Sequence, residues 1–211
     1  MKISYAITVC NELEEIQKLI PHLLKHKREE DEIVVQQDEL TNPSIENVQV
    51  QSYINELMFL GKIKFVSFPL NNDFASFKNN LTKNCKGNYV FQIDADEIPN
   101  PYLLETLPTL LEENPEIEVL LVPRKNYVMG ITPEHVHGWG WKMGEDYAIN
   151  WPDLQWRIYK NTPEIKWVNK VHERLDGFKV YTHLPLEEEY SLNHTKTIEK
   201  QTKQNQFYST I

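Results

Sequence analysis

The first 98 residues alternate between strand-like and helix-like segments, and this alternation restricts the fold more than any other feature of the chain. Apolar or β-rich runs lie at residues 2–9, 32–36, 62–68 and 88–93. Helical patterns fill the intervals, at residues 13–24, 45–60 and 73–85. Such repeated strand–helix units predict an α/β domain with a doubly wound, parallel sheet, in which ligands bind beyond the carboxyl ends of the strands.

The second half is less regular. A helix is predicted at residues 102–113 and a strand at 118–122, whereas residues 124–152 lack a clear period and are predicted to form a long loop. Residues 155–159 and 168–175 are predicted to form an antiparallel strand pair, and residues 195–208 a mostly polar terminal helix. We find no linker or repeat, so we expect a single domain.

Composition limits the classes of partner. The 211 residues include 22 Lys and Arg against 31 Asp and Glu, and the net charge of -9 argues against nucleic acid or anionic lipid as a general partner. The N-terminal apolar run is about eight residues long, too short for a membrane span or a secretory signal. We therefore expect a cytoplasmic protein in which Cys10 and Cys85 stay reduced.

The segment Asp94-Ala95-Asp96-Glu97 follows an apolar strand directly. In an extended chain, Asp94 and Asp96 project to the same face, so their carboxylates could converge on one divalent cation. A cation held there could grip a diphosphate and neutralise it as a leaving group. The simpler alternative is a solvated turn at the end of a strand.

Five segments in fixed order resemble the family 2 glycosyltransferases of the GT-A fold: residues 6–12, 72–79, 87–97, 153–159 and 171–173. The resemblance implies a Rossmann-like, mostly parallel sheet flanked by helices, with an irregular acceptor-side second half. It also implies a nucleotide-sugar donor, usually UDP-linked, a Mn²⁺ or Mg²⁺ ion, and transfer of a hexose to a hydroxyl acceptor with inversion. Residues 1–98 of the single 1–211 domain would then bind the nucleotide-sugar, and residues 99–211 would form the acceptor and catalytic half.

The resemblance also assigns roles to individual residues. Asp96 would be the principal metal ligand, Asp94 would reach the ribose or the metal, and Lys78 would lie near the donor phosphates. The nucleoside would contact the end of the first strand at Val9, Asn11 and Glu12. The alternatives are a helix N-terminal cap at Asn11 with Glu12 as its first-turn acid, and a solvated surface position for Lys78.

One departure from the family pattern concerns the second strand. The family usually has an acidic residue at the end of this strand, whereas this chain has Gln36-Gln37-Asp38. Asp38 is therefore the candidate for the base contact, shifted by two positions, and the identity of the base stays open.

An inverting displacement needs a carboxylate that takes the proton of the acceptor hydroxyl. Asp153, just before a predicted strand, is the favoured base, and Glu145 and Asp146 are the alternatives. His172 and His194 are candidate metal ligands, with a structural histidine as the commoner role. Trp139 and Trp141 are candidate acceptor or lid residues, because aromatic faces stack on sugars, and Arg157 is assigned to the same acceptor side.

Two other functions remain open at the level of the sequence. One is a carbohydrate- or nucleotide-binding module without turnover, and the other is a metal-dependent nucleotidyltransferase, which would release pyrophosphate instead of a nucleoside diphosphate. For a transferase, the acceptor could be a saccharide, a lipid-linked sugar or a protein. The polar terminal helix could pack on a second copy of the chain in a homo-oligomer.

Overall fold

The computed structural model describes residues 1–208. Its first half is a regular alternation of β1 (Ile3–Val9), α1 (Leu13–His26), β2 (Glu32–Asp38), α2 (Ile45–Phe59), β3 (Lys64–Phe68), α3 (Phe74–Lys83) and β4 (Tyr89–Asp94). Each of these elements matches a predicted segment, with bounds that differ by a few residues. The predicted strand–helix alternation is confirmed.

The second half mixes short strands with helices. In chain order these are β5 (Glu97–Pro99), α4 (Pro101–Glu113), β6 (Val119–Met129), α5 (Pro133–Gly138), β7 (Leu154–Lys160), β8 (Lys166–Val168), β9 (Arg174–Asp176), β10 (Tyr181–His183), a 3-10 turn (Glu188–Tyr190), β11 (Leu192–Thr197) and α6 (Ile198–Tyr208). Within residues 1–208, no helix combines the length and apolar character that a membrane span needs.

The main sheet runs in the order β3-β2-β1-β4-β7-β6-β11-β5, with β10 also paired to β6. Strands β3, β2, β1 and β4 are mutually parallel, and so are β6, β10 and β11. Strand β7 is antiparallel to both of its neighbours, and β5 is antiparallel to β11. The result is the predicted mostly parallel sheet, whose β1, β2 and β4 all end at one edge.

The core explains why the first half is so regular. Helix α1 presents one apolar stripe to the sheet, and Ile16, Leu19, Ile20 and Leu23 on it are fully buried. Strand β1 is buried along almost its whole length because helices cover both faces of the sheet. The same packing fixes where each strand ends, and therefore where the polar residues that follow it lie.

Three local predictions are wrong. The segment 124–152 is not one loop, because β6 continues to Met129 and α5 follows it. Strand β7 does not pair with residues 168–175: it lies between β4 and β6, where Ile158 and Tyr159 are buried, while β8 and β9 form a separate hairpin. Asp94 and Asp96 do not share an extended strand, because β4 ends at Asp94 and a turn follows.

Candidate functional site

A cleft of about 1060 Å³ lies at the carboxyl ends of β1, β2 and β4. Residues from the second half form its other walls, including the β6, β7 and β11 strands and helix α6. Many of the side chains that line the cleft are charged, whereas the core of the protein is apolar. This is the position that the parallel-sheet rule predicts for a ligand site.

Asp94 closes β4 and is held by cations. Arg157 Nη2 donates to Asp94 Oδ2 at 2.7 Å, Lys78 Nζ lies 3.6 Å from Oδ1, and Thr8 Oγ1 donates to Oδ1 at 3.0 Å. Burial works to raise the pKa of Asp94, but the charges of Arg157 and Lys78 outweigh it and hold that pKa well below its usual range. Asp94 is therefore an ionised carboxylate.

Asp96 lies in the turn after β4 and faces two groups from β11. His194 Nε2 and Lys196 Nζ are each 3.3 Å from Asp96 Oδ2. Burial would raise the pKa of Asp96, but the hydrogen bond with His194 and the charge of Lys196 bring it well below its usual range. The Nδ1 atom of His194 hydrogen-bonds Asn126 Oδ1 at 2.6 Å, and this contact orients the imidazole so that Nε2 points at Asp96.

These donors fit a divalent cation that is shared with a substrate. No group of three or more His, Cys, Asp and Glu side chains among residues 1–208 could hold a metal ion by itself. Asp96 and His194 offer one carboxylate oxygen and one imidazole nitrogen, which suits an ion whose other ligands are phosphate oxygens and water. Asp94 is engaged by Arg157 and Lys78, and the convergence of both aspartates on one ion stays a prediction.

Glu97 is a residue of the site to which the sequence analysis gave no role. It is fully buried, and its carboxylate accepts from Arg157 Nε at 2.9 Å, Arg157 Nη2 at 2.6 Å and Arg124 Nη1 at 2.9 Å. Arg124 in turn donates to Asp153 through Nε at 2.9 Å. A continuous network of charges therefore joins Asp94 to Asp153 through Arg157, Glu97 and Arg124. The sequence offered one signal for Glu97: the residue closely follows a strand that is predicted to be buried, and a buried acid needs a cationic partner.

Arg157 and Lys78 are both buried, at 4% and 3% exposure. Arg157 is thus a structural partner of Asp94 and Glu97 and not an exposed acceptor contact. Lys78 donates to Glu173 Oε1 at 2.6 Å and lies 4.7 Å from the ring centroid of Trp167. The alternative that Lys78 is a solvated surface residue is therefore wrong.

Of the three candidate bases, Asp153 alone lines the cleft. Asn126 Nδ2 donates to its Oδ2 at 2.7 Å and Gln155 Nε2 donates to its Oδ1 at 2.8 Å. Burial would raise the pKa of Asp153, but the charge of Arg124 and these hydrogen bonds lower it overall. Glu145 and Asp146 are exposed outside the cleft, and Asp146 pairs with Lys125 at 2.8 Å.

The candidate nucleoside residues lie together at the ends of β1 and β2. Val9, Asn11, Glu12 and Asp38 all line the cleft. Glu12 precedes α1 but does not cap it; its Oε2 accepts from the backbone N–H groups of Cys10 at 2.7 Å and Asn11 at 3.0 Å. Burial raises the pKa of Glu12. The alternative of a cap at Asn11 with Glu12 in the first turn is therefore wrong, because Glu12 itself occupies the position before α1 and makes no side-chain capping bond.

His172 and Trp141 also line the cleft. His172 has a positive φ of 53°, an uncommon backbone conformation for this residue type. Trp139 is absent from the cleft lining but packs against Trp141, with ring centroids 4.7 Å apart and the ring planes inclined by 60°. Gly140 between them has a φ of 66°, which glycine adopts without steric cost and which turns the chain.

The mostly parallel sheet flanked by helices, with a cleft at the carboxyl ends of β1, β2 and β4, is a GT-A fold. The model of the family "Glycosyl transferase family 2" matches residues 4–188, so the chain belongs to that family. No curated protein sequence matches the chain.

Solved structures of S. aureus TarS share the fold. The TarS 1-349 structure has a TM-score of 0.62 and 16% identity over 92% of this chain, and its complex with UDP gives the same values. The complex with UDP-GlcNAc has a TM-score of 0.61 and 17% identity over 93% of the chain. This chain spans 60% of TarS 1-349 and 37% of the longer TarS structure. At such identity the likeness concerns the fold.

Proposed function

We propose that this chain is a metal-dependent, inverting glycosyltransferase that moves a hexose from a UDP-linked donor to a hydroxyl acceptor. The observation that carries the proposal is that two carboxylates from different elements line one cleft. Asp96 follows β4 and contacts His194, Asp153 precedes β7, and Asn126 hydrogen-bonds both His194 and Asp153. Donor activation and proton removal need two separate acidic groups at one site.

The donor assignment rests on the parallel half of the sheet. Val9, Asn11, Glu12 and Asp38 would contact the nucleoside, because they line the cleft where β1 and β2 end. The TarS complexes hold UDP and UDP-GlcNAc on the same fold, which supports uridine as the base. Residues 1–98 would thus provide most of the donor site, with His194 and Lys196 added from β11.

Asp96 and His194 would hold Mn²⁺ or Mg²⁺, and His172 is a further candidate ligand. When bound, the ion would neutralise the charge that develops on the leaving diphosphate. Lys78 is too firmly paired with Glu173 to be a solvent-exposed anchor, but it lies beside Asp94 and adds positive charge below the phosphates. Asp94 would accept a hydrogen bond from the ribose.

Asp153 would act as the general base. Its carboxylate takes the proton of the acceptor hydroxyl while the hydroxyl oxygen bonds to the anomeric carbon, and the bond from that carbon to the diphosphate breaks on the other side. The hydrogen bonds from Asn126, Gln155 and Arg124 fix the position of the carboxylate before the acceptor arrives. The products are the inverted glycoside and UDP.

The acceptor side is formed by irregular segments of the second half. Trp141 would stack on a sugar face of the acceptor, with Trp139 supporting it from behind. A saccharide, a lipid-linked sugar and a protein side chain all present the hydroxyl that this chemistry needs.

The test is thermal stabilisation by a panel of nucleoside diphosphates and UDP-sugars, with and without Mn²⁺. Stabilisation grows with the logarithm of ligand concentration over Kd, so millimolar ligand reports a Kd of tens of micromolar. We expect uridine compounds to give the largest shift, Mn²⁺ to increase it, and Asp96→Ala to remove the part that depends on Mn²⁺.

Hydrolysis of the best UDP-sugar to UDP and free sugar then distinguishes an enzyme from a binding module. Release of pyrophosphate from UTP supplied together with a sugar 1-phosphate would instead indicate a nucleotidyltransferase. If no nucleoside diphosphate stabilised the protein, with or without metal, the proposal would be overturned.

A further inference from the structure

Helix α6 borders the cleft with a polar face. Lys200, Gln201, Lys203 and Gln204 on this helix line the cleft, and so does Lys196 of the preceding strand β11. A helix that packs on a protein normally turns apolar residues inward. The inward face of α6 instead carries cations and amides, which suits a charged ligand and not a core.

The three lysines contrast with the rest of the chain. The protein has a net charge of -9, yet this wall of the cleft contributes three ammonium groups at positions 196, 200 and 203. Lys200 and Lys203 are three residues apart and so lie on one side of α6, and Lys196 reaches the same wall from β11. A local concentration of positive charge in an acidic protein indicates an anionic ligand.

Two of these lysines are held by acids of the cleft. Lys196 Nζ lies 3.3 Å from Asp96 Oδ2 and donates to Gln204 Oε1 at 3.0 Å. Lys200 Nζ forms an ion pair with Glu15 of helix α1, and this contact links α6 to α1. Engagement of Asp96 by a cation would leave Lys196 without its carboxylate partner, beside the phosphates of the donor.

We propose that Lys196, Lys200 and Lys203 bind the diphosphate of the donor, and that Asp96 and Glu15 hold the first two in place until it arrives. The inference rests on the proposed function, which supplies the diphosphate. When the donor binds, the ammonium groups exchange carboxylate partners for phosphate oxygens. Ion pairs of ammonium and phosphate are charge-assisted hydrogen bonds and are stronger than neutral ones.

The test compares uridine, UMP and UDP by isothermal titration calorimetry in the presence of EDTA. Because uridine lacks phosphate, the ratio of the uridine Kd to the UDP Kd isolates the contribution of the phosphates from that of the base. We expect Lys200→Gln and Lys203→Gln each to reduce this ratio by about tenfold, with the uridine Kd unchanged. Lys62→Gln, an exposed lysine at the opposite end of the sheet, is the matched control and should leave the ratio unchanged.

The Glu15→Gln variant distinguishes a phosphate-binding role of Lys200 from a purely structural role of Lys200. If Lys200 binds phosphate, removal of its acidic competitor should tighten UDP binding by a few fold, the opposite sign to Lys200→Gln. If the Lys200–Glu15 pair only fastens α6, both variants should change UDP binding in the same direction, and the proposal is overturned.

Two further outcomes keep the two proposals distinct. If UDP binds no better than uridine in EDTA but gains affinity with Mn²⁺, the lysine proposal is overturned and the transferase proposal stands. If the unaltered protein binds no nucleotide under either condition, both are overturned.

Discussion

The two ends of the parallel sheet each carry a cluster of charged residues. At the amino end, Glu32 accepts from Ser4 Oγ at 2.6 Å, from Lys2 Nζ at 3.1 Å and from Lys64. At the carboxyl end, the charges of Asp94, Arg157, Glu97, Arg124 and Asp153 form one network. Both clusters use buried carboxylates paired with cations.

The two clusters differ in how readily a ligand can reach them. The amino-end cluster is closed by close packing: a Cβ on Gly87 would lie 2.5 Å from the backbone nitrogen of Ser4, so only glycine fits there. The carboxyl-end cluster faces a cleft of about 1060 Å³. Buried charge at one end stabilises the fold, and the same chemistry at the other end is available to a substrate. Three predictions test this contrast, from the largest expected effect to the smallest.

Asp153→Asn should lower kcat for transfer by about 10²–10⁴, because the amide cannot take the acceptor proton. The measurement is UDP release from the best donor under saturating conditions, with the Kd for UDP measured in parallel. We expect that Kd to stay near its original value.

Asp146→Asn is the matched control, since Asp146 is exposed and pairs with Lys125 away from the cleft. It should change kcat less than about twofold, because surface substitutions away from special features have small effects. Equal losses in the two variants would contradict the assignment of Asp153.

Arg157→Met should destabilise the protein by about 3–5 kcal/mol, because it leaves the buried carboxylate of Glu97 and the partly buried carboxylate of Asp94 without their main cation. Urea unfolding followed by tryptophan fluorescence measures the loss. Arg157→Lys keeps the charge but not the forked geometry, so it should restore part of the stability and little of the transfer activity. A full recovery of activity by lysine would show that charge alone matters at this position.

Glu32→Gln should destabilise the protein by about 1–3 kcal/mol at neutral pH and leave the Kd for UDP unchanged, because the residue lies at the closed end of the sheet. Burial would raise the pKa of Glu32, but hydrogen bonds from Lys64, Ser4, Lys86 and Lys2 lower it to about 2 from the ordinary 4.5. Its ionised form therefore stabilises the fold fully above about pH 4.5, and this contribution is lost as the pH falls toward 2.

The stability difference between the unaltered protein and Glu32→Gln should accordingly shrink between pH 4.5 and pH 2. Equilibrium unfolding at several pH values measures it. A difference that stays constant through this range would mean that the charge of Glu32 contributes nothing.

The fold of the first half was predictable because its information is local. The apolar stripe of α1 and the apolar run of β4 can be recognised from neighbouring residues in the sequence. A helix that is buried on one side repeats its apolar residues with the helical period, and a strand that is buried on both faces is apolar along its length. Asp96 could be predicted at the cleft for the same reason, because it directly follows β4 in a parallel sheet.

The second half was less predictable because its pairings are not local. Strand β7 has an apolar pattern that suits any sheet, but its partners β4 and β6 are distant in sequence. The candidate base illustrates the same limit: Asp146 and Asp153 are seven positions apart, and only the course of the chain between them decides which one faces the cleft.

By itself, the sequence determined the α/β class, the order of the first seven elements and the acidic turn after β4. The tertiary structure decided which charges meet: Glu97 with Arg124 and Arg157, and Asp96 with His194 and Lys196. The physical reason is that hydrophobic periodicity encodes how each segment is buried, whereas an ion pair depends on the distance between segments that only the packed sheet brings together.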